Sequence, residues 1–238
     1  FGRLTVPASL PDLGYSGFRL FGDPVDGKDR EAAIFQGATF FKALARGQTY
    51  GLQARALALK VADARGEEFP FFRAIWIERA PGNAGAIVHA LFDSESATGV
   101  MRATIRPGDV TLVDIENNLL ARQVLDHFGI AAMSGTYLFG PGERRSSDDV
   151  RPAVFETNGL QMMRGNGEWV WRPLRNPPTL QISVFADENP RGFGLLQRER
   201  DVGQFQDDDA RLERRPSLWI EPIGDWGPGD VELYEIPT

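Results

Sequence analysis

Apolar and polar residues alternate along most of the chain. Leu52-Gln53-Ala54-Arg55-Ala56-Leu57-Ala58-Leu59-Lys60-Val61, Phe71 to Glu78, Ala86 to Phe92, Gly99 to Ile105 and Val110 to Ile115 repeat this alternation between Gly, Pro, Asp and Asn breaks, as half-buried strands do. Arg3-Leu4-Thr5-Val6 and Tyr15 to Phe21 read as earlier strands divided by Pro7, Pro11 and Gly14. No helical segment separates successive strands, so the pattern predicts a mainly β protein, a large antiparallel β-sandwich or barrel, rather than a crossover α/β fold. One stretch departs from it. Ala33, Ile34, Phe40, Phe41 and Leu44 recur near helical spacing, Lys42 and Arg46 favour a C-terminal end and Gly47 follows as a stop, which predicts a short helix over Glu31 to Arg46 with Phe35, Phe40 and Phe41 on its core face. Ala121 to Asp126 fits a turn of helix or a further strand equally. Gly140 to Asp149 is too rich in breakers for a core and reads as a long surface loop, either a lid moving over a cleft or plain disorder.

The last third of the chain concentrates the aromatic residues, with four of the five tryptophans at Trp169, Trp171, Trp219 and Trp226. Trp169 and Trp171 alternate within one strand pattern and so share a face. A flat indole with one N–H donor matches the C–H surfaces and hydroxyls of a sugar, although an aromatic pair also serves core packing. Arg215 to Gly227 sets Trp219, Glu221, Asp225 and Trp226 among residues that restrict the backbone. Leu218-Trp219-Ile220 reads as a short strand, and Gly224 and Gly227 permit a tight exposed corner that carries Asp225 and Trp226. Apolar walls beside a carboxyl raise its pKa toward that of a general acid; the plainer reading makes Trp219 core and Asp225 a turn cap. Arg198 and Arg200 alternate as well, either to fork onto hydroxyls and carboxylates or to face solvent.

At 238 residues, 42% hydrophobic and 25% charged, the chain can bury one substantial core, so a single domain over 1–238 is expected. A net charge of −7 argues against a nucleic-acid partner, which calls for a basic face. No run approaches the roughly eighteen apolar residues of a membrane span. The absence of cysteine excludes disulfides and thiolate sites yet fits either redox compartment. Phe1 and the strand-like end at Val231 to Ile236 suggest an excerpt of a longer protein.

His89 and His127 lack metal-type partners at ligand spacing, and Asp207-Asp208-Asp209 lacks the glycine and distal glutamate of a calcium loop, so neither a metal nor a cofactor is expected. Gly165-Asn166-Gly167 and Gly192-Phe193-Gly194 lack the third glycine of a dinucleotide fingerprint. What remains is carboxylate chemistry among aromatics, with Glu156, Glu168, Asp207, Glu221 and Asp225 as candidates. Glycoside cleavage uses such a set: one carboxylic acid protonates the leaving oxygen, and a second carboxylate assists water or attacks.

Several collinear motifs then resemble one family, the periplasmic glucan biosynthesis proteins G and D. They are Gly47-Gln48-Thr49-Tyr50-Gly51-Leu52, Gly66-Glu67-Glu68-Phe69-Pro70-Phe71-Phe72-Arg73, Gly165 to Leu174 around Glu168-Trp169-Val170-Trp171-Arg172-Pro173, Asn189 to Arg198, Arg215-Pro216-Ser217-Leu218-Trp219 and Gly224-Asp225-Trp226-Gly227. The resemblance implies a galactose-mutarotase-like sugar-binding sandwich, periplasmic export, a β-1,2-linked glucan as partner and a place beside the envelope glucan-synthesis machinery. It also implies that earlier strands and a small immunoglobulin-like C-terminal domain belong to the whole protein. Because relatives act as inverting β-1,2-glucanases or transglycosylases through aspartates, the resemblance favours Asp225 as the acid. In Arg151 to Leu160, Phe155, Glu156 and Asn158 stand where relatives commonly carry His, Asp and Asp, which makes Glu156 the candidate second carboxylate and weakens the expectation of hydrolysis. Tyr137, Trp169, Trp171, Arg172, Arg198, Arg200, Trp219 and Trp226 are the expected substrate-binding residues. A non-catalytic glucan-binding factor and a module that docks other envelope proteins are the competing readings.

Overall fold

The computed structural model describes residues 16–25, 28–83, 85–141 and 149–238; the expected strand at residues 3–6 and residues 142–148 of the polar loop lie outside them. The first strands are β1 (Gly17–Val25), β2 (Lys28–Gln36), β3 (Phe40–Ala43), β4 (Gln53–Arg55), β5 (Ala58–Leu59), β6 (Phe71–Arg79), β7 (Ala86–Asp93), β8 (Ala97–Arg106) and β9 (Leu112–Ala121). There follow β10 (Phe128–Gly129), β11 (Ala132–Ser134), β12 (Tyr137–Phe139), β13 (Val154–Phe155), β14 (Gly159–Met163), β15 (Trp169–Pro173), β16 (Gln181–Asp187), β17 (Gly192–Leu196), β18 (Leu218–Ile220) and β19 (Gly229–Glu235). Among the described residues the only helical pieces are three-residue 3₁₀ turns. The alternating segments named above correspond to β4 to β9, and Leu218-Trp219-Ile220 is β18.

The strands build a five-stranded sheet in the order β1-β2-β3-β4-β11 and two four-stranded sheets, β6-β7-β8-β9 and β15-β14-β17-β18, with three smaller pairs. Neighbours run antiparallel throughout these three sheets. Strand alternation sends Ala33, Phe35, Phe41 and Ala54 of the first sheet to the same core as Val88, Ala90, Phe92, Met101, Ala103 and Ile105 of the second, which makes the pair a sandwich. Each large side chain buried there contributes about 1.5–3 kcal/mol. A second core joins Leu160, Met162 and Leu195 of the third sheet to Val231 and Leu233 of β19, and Leu218 packs against both cores.

Residues 31–46 do not form the expected helix. They are the hairpin β2–β3, paired Ala33 to Ala43, Ile34 to Lys42 and Phe35 to Phe41. The chain reverses where Gly37 takes φ +82°. The apolar positions that imitate helical spacing are two alternating sets on two strands. Phe35 stacks on Phe41 with centroids 5.2 Å apart and reaches Phe72 of β6 at 6.5 Å, contacts that one helix face cannot make with itself. Tertiary burial overrides local propensity here, and a glycine inside a helix would have cost about 1 kcal/mol in any case. Residues 122–127 form neither a helical turn nor a strand; the chain bends beyond β9 and pairs again at β10.

Candidate functional site

The sheet β15-β14-β17-β18 has two different faces. Its register aligns Trp171, Gln161, Gly194 and Trp219 in one cross-strand row and Trp169, Met163 and Gly192 in another, so these side chains share a face. The residues between them, Val170, Leu160, Met162, Leu195 and Leu218, turn to the core. Three indoles therefore stand together on the side of the sheet away from that core.

Trp169 and Trp219 stack at 5.5 Å with 29° between their planes, and Trp169 remains 55% exposed. Trp219 is fixed by its Nε1–H, which donates to Glu221 Oε1 at 2.7 Å. Two glycines make room for the rings: a Cβ on Gly159 would lie 2.1 Å from Trp171 Cζ2, and one on Gly192 2.7 Å from Trp219 Cζ2. The Arg198 guanidinium covers Trp171 at 4.7 Å from the ring centroid. Flat rings over bare backbone, flanked by Arg198, Gln161 and Glu221, offer apolar and hydrogen-bonding surface together.

The two candidate carboxylates lie off opposite ends of β14. Asp225 sits in the exposed turn after β18, where Gly224 and Gly227 take φ +101° and +76°, as the glycine pattern predicts. Asn189 ties this turn to the sheet: its Nδ2 donates to Asp225 Oδ1 at 2.9 Å, and its Oδ1 accepts from Gly227 N–H at 3.2 Å. Asp187 in turn accepts from Asn189 N–H and Gly165 N–H and pairs with Arg164. The Asn189 and Gly165 N–H groups hold its carboxyl below the usual carboxylate range.

Glu156 lies beyond the other end. Its Oε2 accepts from Thr136 N–H at 3.2 Å and its Oε1 stands 3.8 Å from Arg215 Nη1, both side chains being 19% exposed. The five residues of β14, about 13 Å from end to end, separate the chain segments that carry the two carboxyls.

Other expected binding residues divide. Arg172 points to the core face and donates to Glu235 Oε2 at 2.9 Å, away from the indoles, because it alternates with Trp171. Arg200 leaves the Arg198 face once β17 has ended, and its Nη1 donates to the carbonyls of Glu213 and Arg215 at 2.8 and 2.6 Å. Burial lowers its pKa. Tyr137 stacks on Phe155 at 5.6 Å in a separate cluster. Trp226 packs on Phe193, whose side chain faces the core, at 5.8 Å. Among the other carboxylates, Asp207 is taken by Arg151 and by Ala210 N–H.

Gln161, Asn189 and Arg215 belong to the site without having been singled out for it from the sequence. Gln161 follows from strand alternation once β14 and β15 are paired; the other two are placed only by long-range folding. His127 Nε2 lies 3.0 Å from Tyr234 Oη, and His89 Nε2 3.2 Å from Glu78, both structural contacts. Among the described residues no cluster of three or more His, Cys, Asp or Glu is placed to hold a metal ion, and no helix is long and apolar enough to cross a membrane.

An antiparallel β-sandwich protein with an open, indole-bearing sheet face is the class that these features define. The sequence model of the family described as "Periplasmic glucan biosynthesis protein, MdoG" matches residues 3–238, and the chain belongs to that family. It is 51% identical over 230 residues to Glucans biosynthesis protein G of Bradyrhizobium diazoefficiens, covering 95% of this chain and 46% of that protein. To the protein of the same name from Shewanella baltica it is 52% identical over 237 residues, 98% of this chain and 44% of the relative. For that of Rhodopseudomonas palustris the identity is 50% over 241 residues, 100% and 48%. The chain spans about half the length of these relatives.

Proposed function

We propose that this chain contributes to periplasmic glucan biosynthesis by binding a β-1,2-linked glucan on the indole face and processing it through carboxylates, by hydrolysis or transglycosylation. The observation that carries the reading is the stacked Trp169–Trp219 pair beside Trp171 on the side of the sheet away from the core. A hydrophobic core does not call for three indoles there, whereas a neutral glucan presents the C–H faces and hydroxyls that such a surface meets. The names of the family and of its relatives support the glucan and the periplasm; the β-1,2 linkage and the chemistry rest on the resemblance of motifs. In this reading Asp225 donates a proton to the departing glycosidic oxygen at the Trp219 end, and the proton of the attacking water passes along a chain of waters to Glu156, which lies beside Arg215 at the other end.

The separation of the two carboxylates favours a second reading, a glucan-binding factor without turnover. Incubating the full-length protein with linear β-1,2-glucan and following chain length and reducing ends separates the two. New reducing ends report hydrolysis, redistributed chain lengths without new ends report transglycosylation, and binding with neither supports the factor. Absence of binding overturns both.

A further inference from the structure

A cavity of about 420 Å³ opens on the five-stranded sheet, outside the indole face. Its size lies in the range of small-molecule sites, roughly 300–1,000 Å³. The register explains its lining. Arg19 pairs with Ile34 and Ile34 with Lys42, while Phe35, Phe41 and Ala54 alternate into the core, so Arg19, Lys42, Gln36, Phe40 and Gln53 come to the outer side of the sheet. Tyr50 closes one wall. Arg19 is neutralised by Glu31 at 2.5 Å, and Gln53 Nε2 donates to Ser134 Oγ at 3.0 Å. Burial and the neighbouring Glu31 carboxylate push the Tyr50 phenol well above its ordinary pKa, so it stays a hydroxyl. An aromatic ring with amide and ammonium groups around it offers donors and acceptors to hydroxyls and an apolar surface to a sugar ring, while the Tyr50 hydroxyl itself is buried in the wall.

The cavity adjoins Glu156 through short links on both of its walls. Gln53 bonds Ser134, and two residues on, Thr136 N–H donates to Glu156 Oε2. Tyr50 is followed by Gly51, where a Cβ would lie 3.1 Å from Arg215 Cδ, and Arg215 faces Glu156 at 3.8 Å. Thr49 N–H donates to Arg214 O at 3.1 Å, which fastens this loop beside the same segment. On its other side Glu156 leads through Asn158 to Gly159, the residue beneath Trp171.

We propose that the cavity lined by Arg19, Gln36, Phe40, Lys42, Tyr50 and Gln53 is a second sugar-binding subsite, continuing the glucan track of the indole face past Glu156 and Arg215. This rests on the reading of the indole face as a glucan site. A chain long enough to lie on both surfaces gains contacts that a short one lacks, so affinity rises a second time with length once the indole face is filled.

The test measures the affinity of the full-length protein for linear β-1,2-glucans of increasing length, with Gln36→Ala/Lys42→Ala and Trp219→Ala variants whose melting temperatures confirm folding. The double variant should lose the second rise, weakening long chains about tenfold relative to wild type, as the loss of one or two hydrogen-bonding groups implies. Trp219→Ala should weaken chains of every length. A double variant that keeps the wild-type length dependence, or that weakens all lengths equally, overturns the subsite. Wild-type protein that binds no glucan at any length instead overturns the reading of the indole face on which the subsite rests.

Discussion

Trp169 stands on one edge strand of a four-stranded sheet and Trp219 on the other, yet their ring centroids lie 5.5 Å apart. Three strand spacings, about 14 Å, separate those edges. Trp219 can lean inward over the sheet because Gly192 of the neighbouring strand raises no side chain under its ring. One glycine in a central strand thus helps two edge residues form one aromatic surface.

Replacing Gly192 by Ala tests that dependence. The new Cβ would lie 2.7 Å from Trp219 Cζ2 and 3.0 Å from Ile220 O, so the ring must leave its seat. Overpacking of this kind costs about 1–3 kcal/mol, and a lower melting temperature with altered tryptophan fluorescence is expected. Unchanged fluorescence would mean that the glycine does not seat the ring.

Asp225→Asn should separate chemistry from structure. The Asn189 Nδ2–H that now donates to Asp225 Oδ1 at 2.9 Å can donate equally to an amide oxygen, so the turn persists. Turnover of glucan should fall by about a hundredfold to ten-thousandfold if the carboxyl is the proton donor, with affinity and melting temperature near wild type. A fully active variant would return Asp225 to the role of a turn residue.

Glu68 predicts an acid limb to stability. Burial alone would raise its carboxyl, but Lys60 Nζ at 2.8 Å and Ser96 N–H and Oγ–H at 2.7 and 2.6 Å outweigh burial and take it down to about 2. Because the folded value lies below the unfolded one, about 4.3, the stabilisation is complete above that range and is lost as pH falls toward 2. Glu68→Gln should cost about 1–3 kcal/mol at neutral pH and flatten the loss between pH 5 and 2, about the window just named, in melting curves taken across it. Parallel wild-type and variant curves would contradict the assignment.

Period-two patterning was enough to read β6 to β9 and the shared face of Trp169 and Trp171, because alternation is a local property of a strand. The hairpin at residues 31–46 escaped it: one phenylalanine on one strand and two on the next imitate a helical stripe, and only the turn at Gly37 tells them apart. The same limit applies to the site. That Trp219 joins Trp169 while Trp226 turns to Phe193 depends on the β17–β18 pairing, which no local signal specifies. Arg172 shares a motif with Trp171, and strand alternation sends it to Glu235 instead. Asn189 and Arg215 find their carboxylates across 36 and 59 residues of chain, by tertiary folding alone.

The most direct test of the account is a titration of the full-length protein with linear β-1,2-glucan, followed by tryptophan fluorescence at low and high salt, for wild type and Trp219→Ala. Glucan should shift the wild-type emission with an affinity that hardly depends on salt, since a neutral ligand releases no counterions, and Trp219→Ala should bind several-fold to tenfold more weakly, in line with the worth of one aromatic contact. Folded wild-type protein whose emission and melting temperature do not respond to glucan, or a Trp219→Ala variant that binds as tightly as wild type, would contradict a glucan site on this face.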